Sequence, residues 1–126
     1  MKIEELRVGN YVDYSGVFFK VEGYNHYQQR LHVNTMSAPL SAFNRIELDK
    51  KWLLDFAVQD LSEFYDDVEF VVDLGGIYIR EEEGVFYLGL EHQDYSDIEI
   101  RYVHQLQNIY FALTGKELQL KGRRNV

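Results

Sequence analysis

The sequence predicts an α+β fold: mainly antiparallel β, with an SH3-like N-terminal barrel, one short helix and one C-terminal amphipathic helix. Three observations carry this reading. Residues 17–24 alternate with period two, placing Val17, Phe19 and Val21 on one face and Phe18, Lys20 and Glu22 on the other. Gly75-Gly76 and Glu83-Gly84 separate three runs with apolar residues at alternate positions, the pattern of tight hairpins in a meander. Val103, Leu106, Ile109, Tyr110 and Leu113 recur at the spacing of a single helical stripe.

The elements follow in chain order. Residues 8–14 read as a first strand, and Ser15-Gly16 turns it into the strand over 17–24. Residues 30–34 are a third strand with Leu31 and Val33 inward and His32 facing solvent. Ala38-Pro39 reads as a break, and residues 43–48 as a fourth strand. Short strands this dense within fifty residues suggest a curled sheet. Asp49 is suited to cap a helix over 50–57, whose Trp52, Leu53, Phe56 and Ala57 fall at helical spacing and would dock on a sheet. Strands are expected over 67–73, 77–81 and 85–91, with a further one at Ile98 and Ile100. The last helix runs from Val103 to Leu113, burying Leu106, Tyr110 and Leu113, and closes at Thr114-Gly115. Residues 117–120 are an edge-strand candidate, and 122–126 a frayed tail.

The 126 residues suit a single domain over 1–126, with a subdivision into a small β-barrel (1–48) and an antiparallel sheet with helices (49–126). Hydrophobic residues at 46%, with 10 Tyr and 8 Phe, argue against disorder. The absence of Cys excludes disulfides, thiolate metal sites and Cys nucleophiles. The N-terminus lacks the apolar stretch of a signal peptide, and no apolar run approaches the roughly 20 residues of a membrane span, so a cytoplasmic protein without membrane contact is expected. The net charge of −8 is uneven: residues 55–99 carry fourteen acidic groups against Arg80 alone. That segment should repel nucleic acid, which makes a nucleic-acid partner disfavoured. Its plainer reading is a solvated face.

Three segments carry a resemblance: residues 5–12 (Glu-Leu-Arg-Val-Gly-Asn-Tyr-Val), Trp52-Leu53-Leu54 following Leu48-Asp49, and residues 103–115 (Val-His-Gln-Leu-Gln-Asn-Ile-Tyr-Phe-Ala-Leu-Thr-Gly). They are similar to a group of small proteins without an assigned activity, encoded in Bacteroides-type genomes, often in prophage-like or mobile regions. The group has an acidic residue where Lys116 stands, and Thr-Glu-Glu where this chain has Asp49-Lys50-Lys51. The acidic segment 58–100 does not share the likeness. The resemblance implies a genomic context, phage-related, and no mechanism.

Residues able to carry chemistry are few. His26, His32, His92 and His104 include no pair at i, i+4, and no HExxH occurs. His92-Gln93-Asp94 is a loop candidate for a metal, with a plain surface loop as its alternative. Asp66-Asp67 and Glu81-Glu82-Glu83 lack an EF-hand pattern, and adjacent strand residues point to opposite faces. No GxSxG, SxxK, P-loop or GxGxxG is present. Tyr11, Tyr14, Phe18 and Lys20 come nearest to a base-stacking platform. His104, Gln105, Gln107 and Asn108 form a run of neutral hydrogen-bonding side chains beside the apolar stripe, unusual for a solvent face. They either pack internally or meet a partner.

These readings point to a non-enzymatic protein-binding accessory module of a mobile element or prophage, with no cofactor and no catalytic or metal residue. Its interaction surface is expected among His104, Gln105, Gln107, Asn108, Glu81, Glu82 and Glu83. One alternative is an acidic mimic of nucleic acid that occupies a DNA-binding protein; another is a small metal- or carboxylate-dependent hydrolase.

Overall fold

Two antiparallel sheets and two helices make up the computed structural model, which describes residues 1–64, 70–90 and 98–121. Strands β1 (Tyr11–Tyr14), β2 (Val17–Asn25), β3 (Arg30–Val33), β4 (Met36–Pro39) and β5 (Phe43–Asn44) form the first sheet in the order β4-β3-β2-β1-β5. Ser15 (φ 51°) and Gly16 (φ 85°) join β1 to β2 through two residues of positive φ, the turn geometry that matches the twist of paired strands. β2 pairs with β1 through its first half and with β3 through its second, and the register shifts between Val21 and Gly23. A bulge bends its strand there, so the sheet curls into a half-barrel. A 3-10 turn at Leu40–Ala42 carries the chain from one edge of this sheet to the other. Inside it lie Ile3, Leu6, Val12, Val21, Leu31, Val33, Ala38, Leu40 and Phe43, all buried.

The second sheet has the order β6-β7-β8-β9: Gln59–Asp60, Phe70–Asp73, Ile77–Glu82 and Val85–Leu90. Gly75 (φ 95°) and Gly76 (φ 104°) turn β7 into β8. Alternate residues Phe70, Val72, Ile77, Ile79, Phe86 and Leu88 face a second core completed by helices α1 (Lys50–Phe56) and α2 (Val103–Thr114). Asp49 caps α1, its Oδ1 accepting the Trp52 N–H at 2.8 Å. That cap aims Trp52, 1% exposed, at the rings of Tyr11, Phe18 and Phe56, whose centroids lie 5.5, 5.3 and 5.7 Å away. Gly115 (φ 73°) ends α2 in the left-handed region. Among the described residues, no helix is long and apolar enough to cross a membrane.

Several elements differ from the sequence expectation. The first strand starts at Tyr11, because Gly9 (φ 98°) turns the chain and the Asn10 side chain accepts the Arg7 N–H at 2.7 Å. Pro39 ends the strand β4 instead of breaking the chain; β4 lies at the sheet edge, where the missing N–H costs no ladder bond. The strand expected over 43–48 stops at Asn44. Beyond it the Ile46 carbonyl accepts from Val103 and the Leu48 N–H donates to Arg101, so this stretch bonds the segment entering α2. Ile98 and Ile100 line β9 through single bonds to Leu88 and Phe86 without forming a full strand. Residues 117–120 form no strand, although Leu118 is buried. Leu113 is 51% exposed: Tyr110 already reaches the sheet rim, its hydroxyl 3.4 Å from the Gly75 carbonyl, and the next turn overhangs it. The candidates Asp66-Asp67 and His92-Gln93-Asp94 lie outside the described residues.

The burial contrast along α2 is testable. Leu106→Ala should lower the unfolding free energy by about 2–5 kcal/mol, the range for a fully buried leucine, whereas Leu113→Ala should stay within about 0.5 kcal/mol. Urea denaturation of both variants measures the difference; equal losses would show that the inward face is misplaced.

Candidate functional site

The neutral flank of α2 meets the start of the chain. Gln107, 2% exposed, donates from Nε2 to the Gly9 carbonyl at 3.0 Å and accepts the Tyr11 N–H on Oε1 at 2.9 Å. Its amide thereby fills both backbone positions at the entry to β1 that a neighbouring strand would otherwise satisfy. One residue on, Asn108 donates from Nδ2 to the Glu5 carbonyl at 3.0 Å. Its Oδ1 accepts from Asn10 Nδ2 at 2.8 Å and from Arg7 Nε at 3.1 Å. Asn10 is fully buried. Gln105 turns the other way and ties the entry of the helix, accepting the Arg101 N–H at 2.9 Å and donating to the Glu99 carbonyl at 3.2 Å.

His104 completes the flank. It is 4% exposed, with Nε2 3.3 Å from Glu5 Oε1, while Nδ1 is buried without a hydrogen-bond partner among the described residues. Its ring stacks on Tyr102, with centroids 5.9 Å apart. Burial lowers the His104 pKa from 6.5, against the opposing pull of the Glu5 carboxylate. Glu5 is itself gripped by Arg45 through two bonds of 2.7 and 3.0 Å. That Arg45 bond holds the Glu5 carboxyl below its ordinary value of 4.5.

His104, Gln107 and Asn108 are therefore brought together against residues 5–11, with His104 and Gln107 turned inward, while Gln105 points to the entry of the helix. Their partners are the protein's own backbone and the side chains of Glu5, Arg7 and Asn10. The acidic trio does not converge. Glu81 faces the core side and pairs with Lys50 at 3.2 Å; Glu82 points to the opposite face and pairs with Arg80; Glu83 sits exposed in the turn at φ 54°. Strand alternation separates them, as the pleat requires. Tyr11, the centre of the expected stacking platform, is 5% exposed against Trp52, with Lys20 Nζ 5.6 Å from its ring centroid. Among the described residues no group of three His, Cys, Asp or Glu could hold a metal ion.

One surface was missed by the sequence reading. The loop between β2 and β3, His26 to Gln29, raises Tyr27 to 98% exposure. Its conformation is fixed from within: Asn25 Oδ1 accepts the Gln28 N–H at 3.0 Å, Gln29 Nε2 donates to the His26 carbonyl at 2.7 Å, and the Gln29 carbonyl accepts from Leu40 at 2.7 Å. The signal available in the sequence was the run Asn25-His26-Tyr27-Gln28-Gln29, polar and aromatic without an acidic or basic residue other than histidine.

Comparison with protein-family models, with curated proteins and with solved structures finds no match to this chain.

The Gln107 clamp gives a direct test of this geometry. Gln107→Leu keeps the volume but leaves the Gly9 carbonyl and the Tyr11 N–H unpaired, and should cost about 1–3 kcal/mol for each group. Gln107→Glu should cost more, because a buried charge faces a carbonyl. Chemical denaturation, with hydrogen exchange at the Tyr11 amide, measures both.

Proposed function

We propose that this chain is a non-catalytic protein-binding module that contacts its partner through the hairpin tip carrying Tyr27. The observation that supports this is a tyrosine almost wholly in water on a loop whose backbone is already ordered. Tyrosine anchors carry a large share of the energy at protein interfaces, because they bury much area and lose only two side-chain torsions. A loop held by its own hydrogen bonds lowers the ordering cost of association. Neighbouring Tyr24, 46% exposed, and the amides of Gln28 and Gln29 extend the same surface with groups that suit an interface rim. The neutral side chains of α2 are engaged internally, so they support structure rather than a contact. A cytoplasmic setting, a protein rather than a nucleic-acid partner, and an accessory role in a mobile element or prophage belong to the same proposal. They rest on the overall charge and on the resemblance of the three segments.

Photo-crosslinking from position 27, in cells that carry the gene, identifies the partner. Tyr27→Ala should then weaken binding to that protein by about 2 kcal/mol or more, roughly 30-fold in Kd, with an unchanged denaturation midpoint. Equal affinity of wild type and variant would remove the tip from the interface.

A further inference from the structure

We propose that His104 is an acid-operated latch that loosens α2 from the first turn of the chain when its imidazole takes up a proton. The residue stands in the first turn of α2, at the seam between the helix and the segment leading into the half-barrel. Burial, the Arg45 cation and the Met1 amine favour the neutral ring and outweigh the pull of the Glu5 carboxylate. Nε2 lies 3.3 Å from Glu5 Oε1, and Nδ1 is buried without a partner among the described residues. A second proton would sit on Nδ1, and no acceptor described in the seam receives it; a buried donor without an acceptor is destabilising.

The charges around the ring point the same way. From the N-terminal 3-10 turn comes Glu5; from the segment after β5 comes Arg45; from the chain start comes the Met1 amine; Tyr102 is the stacked neighbour on the helix side. One carboxylate thus faces two cations before the ring is charged, and it is already bound by both nitrogens of the Arg45 fork. An imidazolium would add a third positive charge to a seam with one negative charge. It would also sit at the positive end of the helix dipole.

The direction of the pH effect follows. His104 titrates below 6.5 when α2 is seated, because burial disfavours the charged form. When the helix is detached or the chain unfolded, the ring takes its proton at the ordinary value. The seated state therefore binds fewer protons, and its stability, complete above about pH 6.5, falls as acid is added. Glu5 acts in a separate, lower window: the Arg45 bond depresses its pKa below 4.5, so its contribution is lost only as the pH falls through that range. The first contacts released with His104 are the bond that Asn108 donates to the Glu5 carbonyl and the bond it accepts from Asn10.

Hydrogen exchange of segments 1–12 and 103–115 at pH 7.5, 6.0 and 5.0, corrected for the intrinsic rate, tests the latch. Wild type should lose protection severalfold across this range. His104→Gln, which keeps an N–H donor for Glu5 and cannot be protonated, should hold a flat profile. Identical profiles in the two proteins would overturn the proposal. A titration of the His104 ring protons by NMR in the wild-type chain is an independent measurement should the variant fold poorly. Protonation below the free-histidine value, together with loss of the Asn108 side-chain amide contacts, is the expected result. Protonation at or above that value, or protonation that leaves those contacts in place, would overturn it.

Discussion

The amide of Gln107, bonded at once to the Gly9 carbonyl and the Tyr11 N–H, fixes the last helix against the first strand, and much of the architecture depends on where it puts that strand. Two hydrophobic cores lie on either side of β1. Val12 points into the half-barrel with Val21, Leu31 and Val33, whereas Tyr11 points out of it and into the core of the second sheet beside Trp52 and Phe56. Strand alternation alone produces that division. It holds only while the strand keeps its rotation, and the side-chain amide enforces the rotation by matching both hydrogen-bonding groups of the backbone there.

The choice of neutral side chains at this junction has a physical reason. A Glu or Lys in place of Gln107 or Asn108 would bring a net charge into a region where Gln107 is 2% exposed and Asn10 wholly buried. Desolvating an ion costs far more than desolvating an amide. An amide supplies a donor and an acceptor together, and the backbone at the start of β1 offers one of each. Charges reappear only at the margin, where Glu5 and Arg45 keep 27% and 36% side-chain exposure and Arg7 stacks on Phe111 while pairing with Glu117. The margin can therefore respond to salt and acid while the centre does not.

Much of the fold was legible because it depends on local chemistry. Ser15-Gly16, Gly75-Gly76 and Glu83-Gly84 mark turns by their tolerance of positive φ, and all six adopt it. Asp49 and Gly115 mark helix ends for reasons that any isolated helix shares. Pro39 misled because its meaning depends on the sheet: it breaks a central strand and is harmless on an edge, and only the topology tells the two apart. Leu113 misled because periodicity gives the direction of a helix face but not where the opposing sheet stops. The unusual neutrality of the α2 flank was visible, and internal packing was one of its two readings. Its partners Gly9 and Tyr11 were not visible, since they lie 98 and 96 positions away and share no local pattern with it. Tyr27 passed unnoticed among ten tyrosines because exposure is a property of the folded loop rather than of composition.

The division of the molecule into two cores also orders its assembly during synthesis. Every buried residue of the half-barrel core lies between Ile3 and Phe43, so its apolar side chains are all made well before α2. The other core draws on Tyr11 from the start and on Ile100, Val103, Leu106, Tyr110 and Leu118 from the end. Until the ribosome releases α2, the Trp52 and Phe56 rings and the inner face of β7 to β9 have no lid, and Tyr11 has no amide to hold its strand. Contacts so distant along the chain form slowly, since a long loop must close before they are rewarded. The nascent protein therefore carries an uncovered aromatic surface until α2 and Leu118 emerge, which is the interval in which a growing chain is most exposed to misassociation and to chaperone capture.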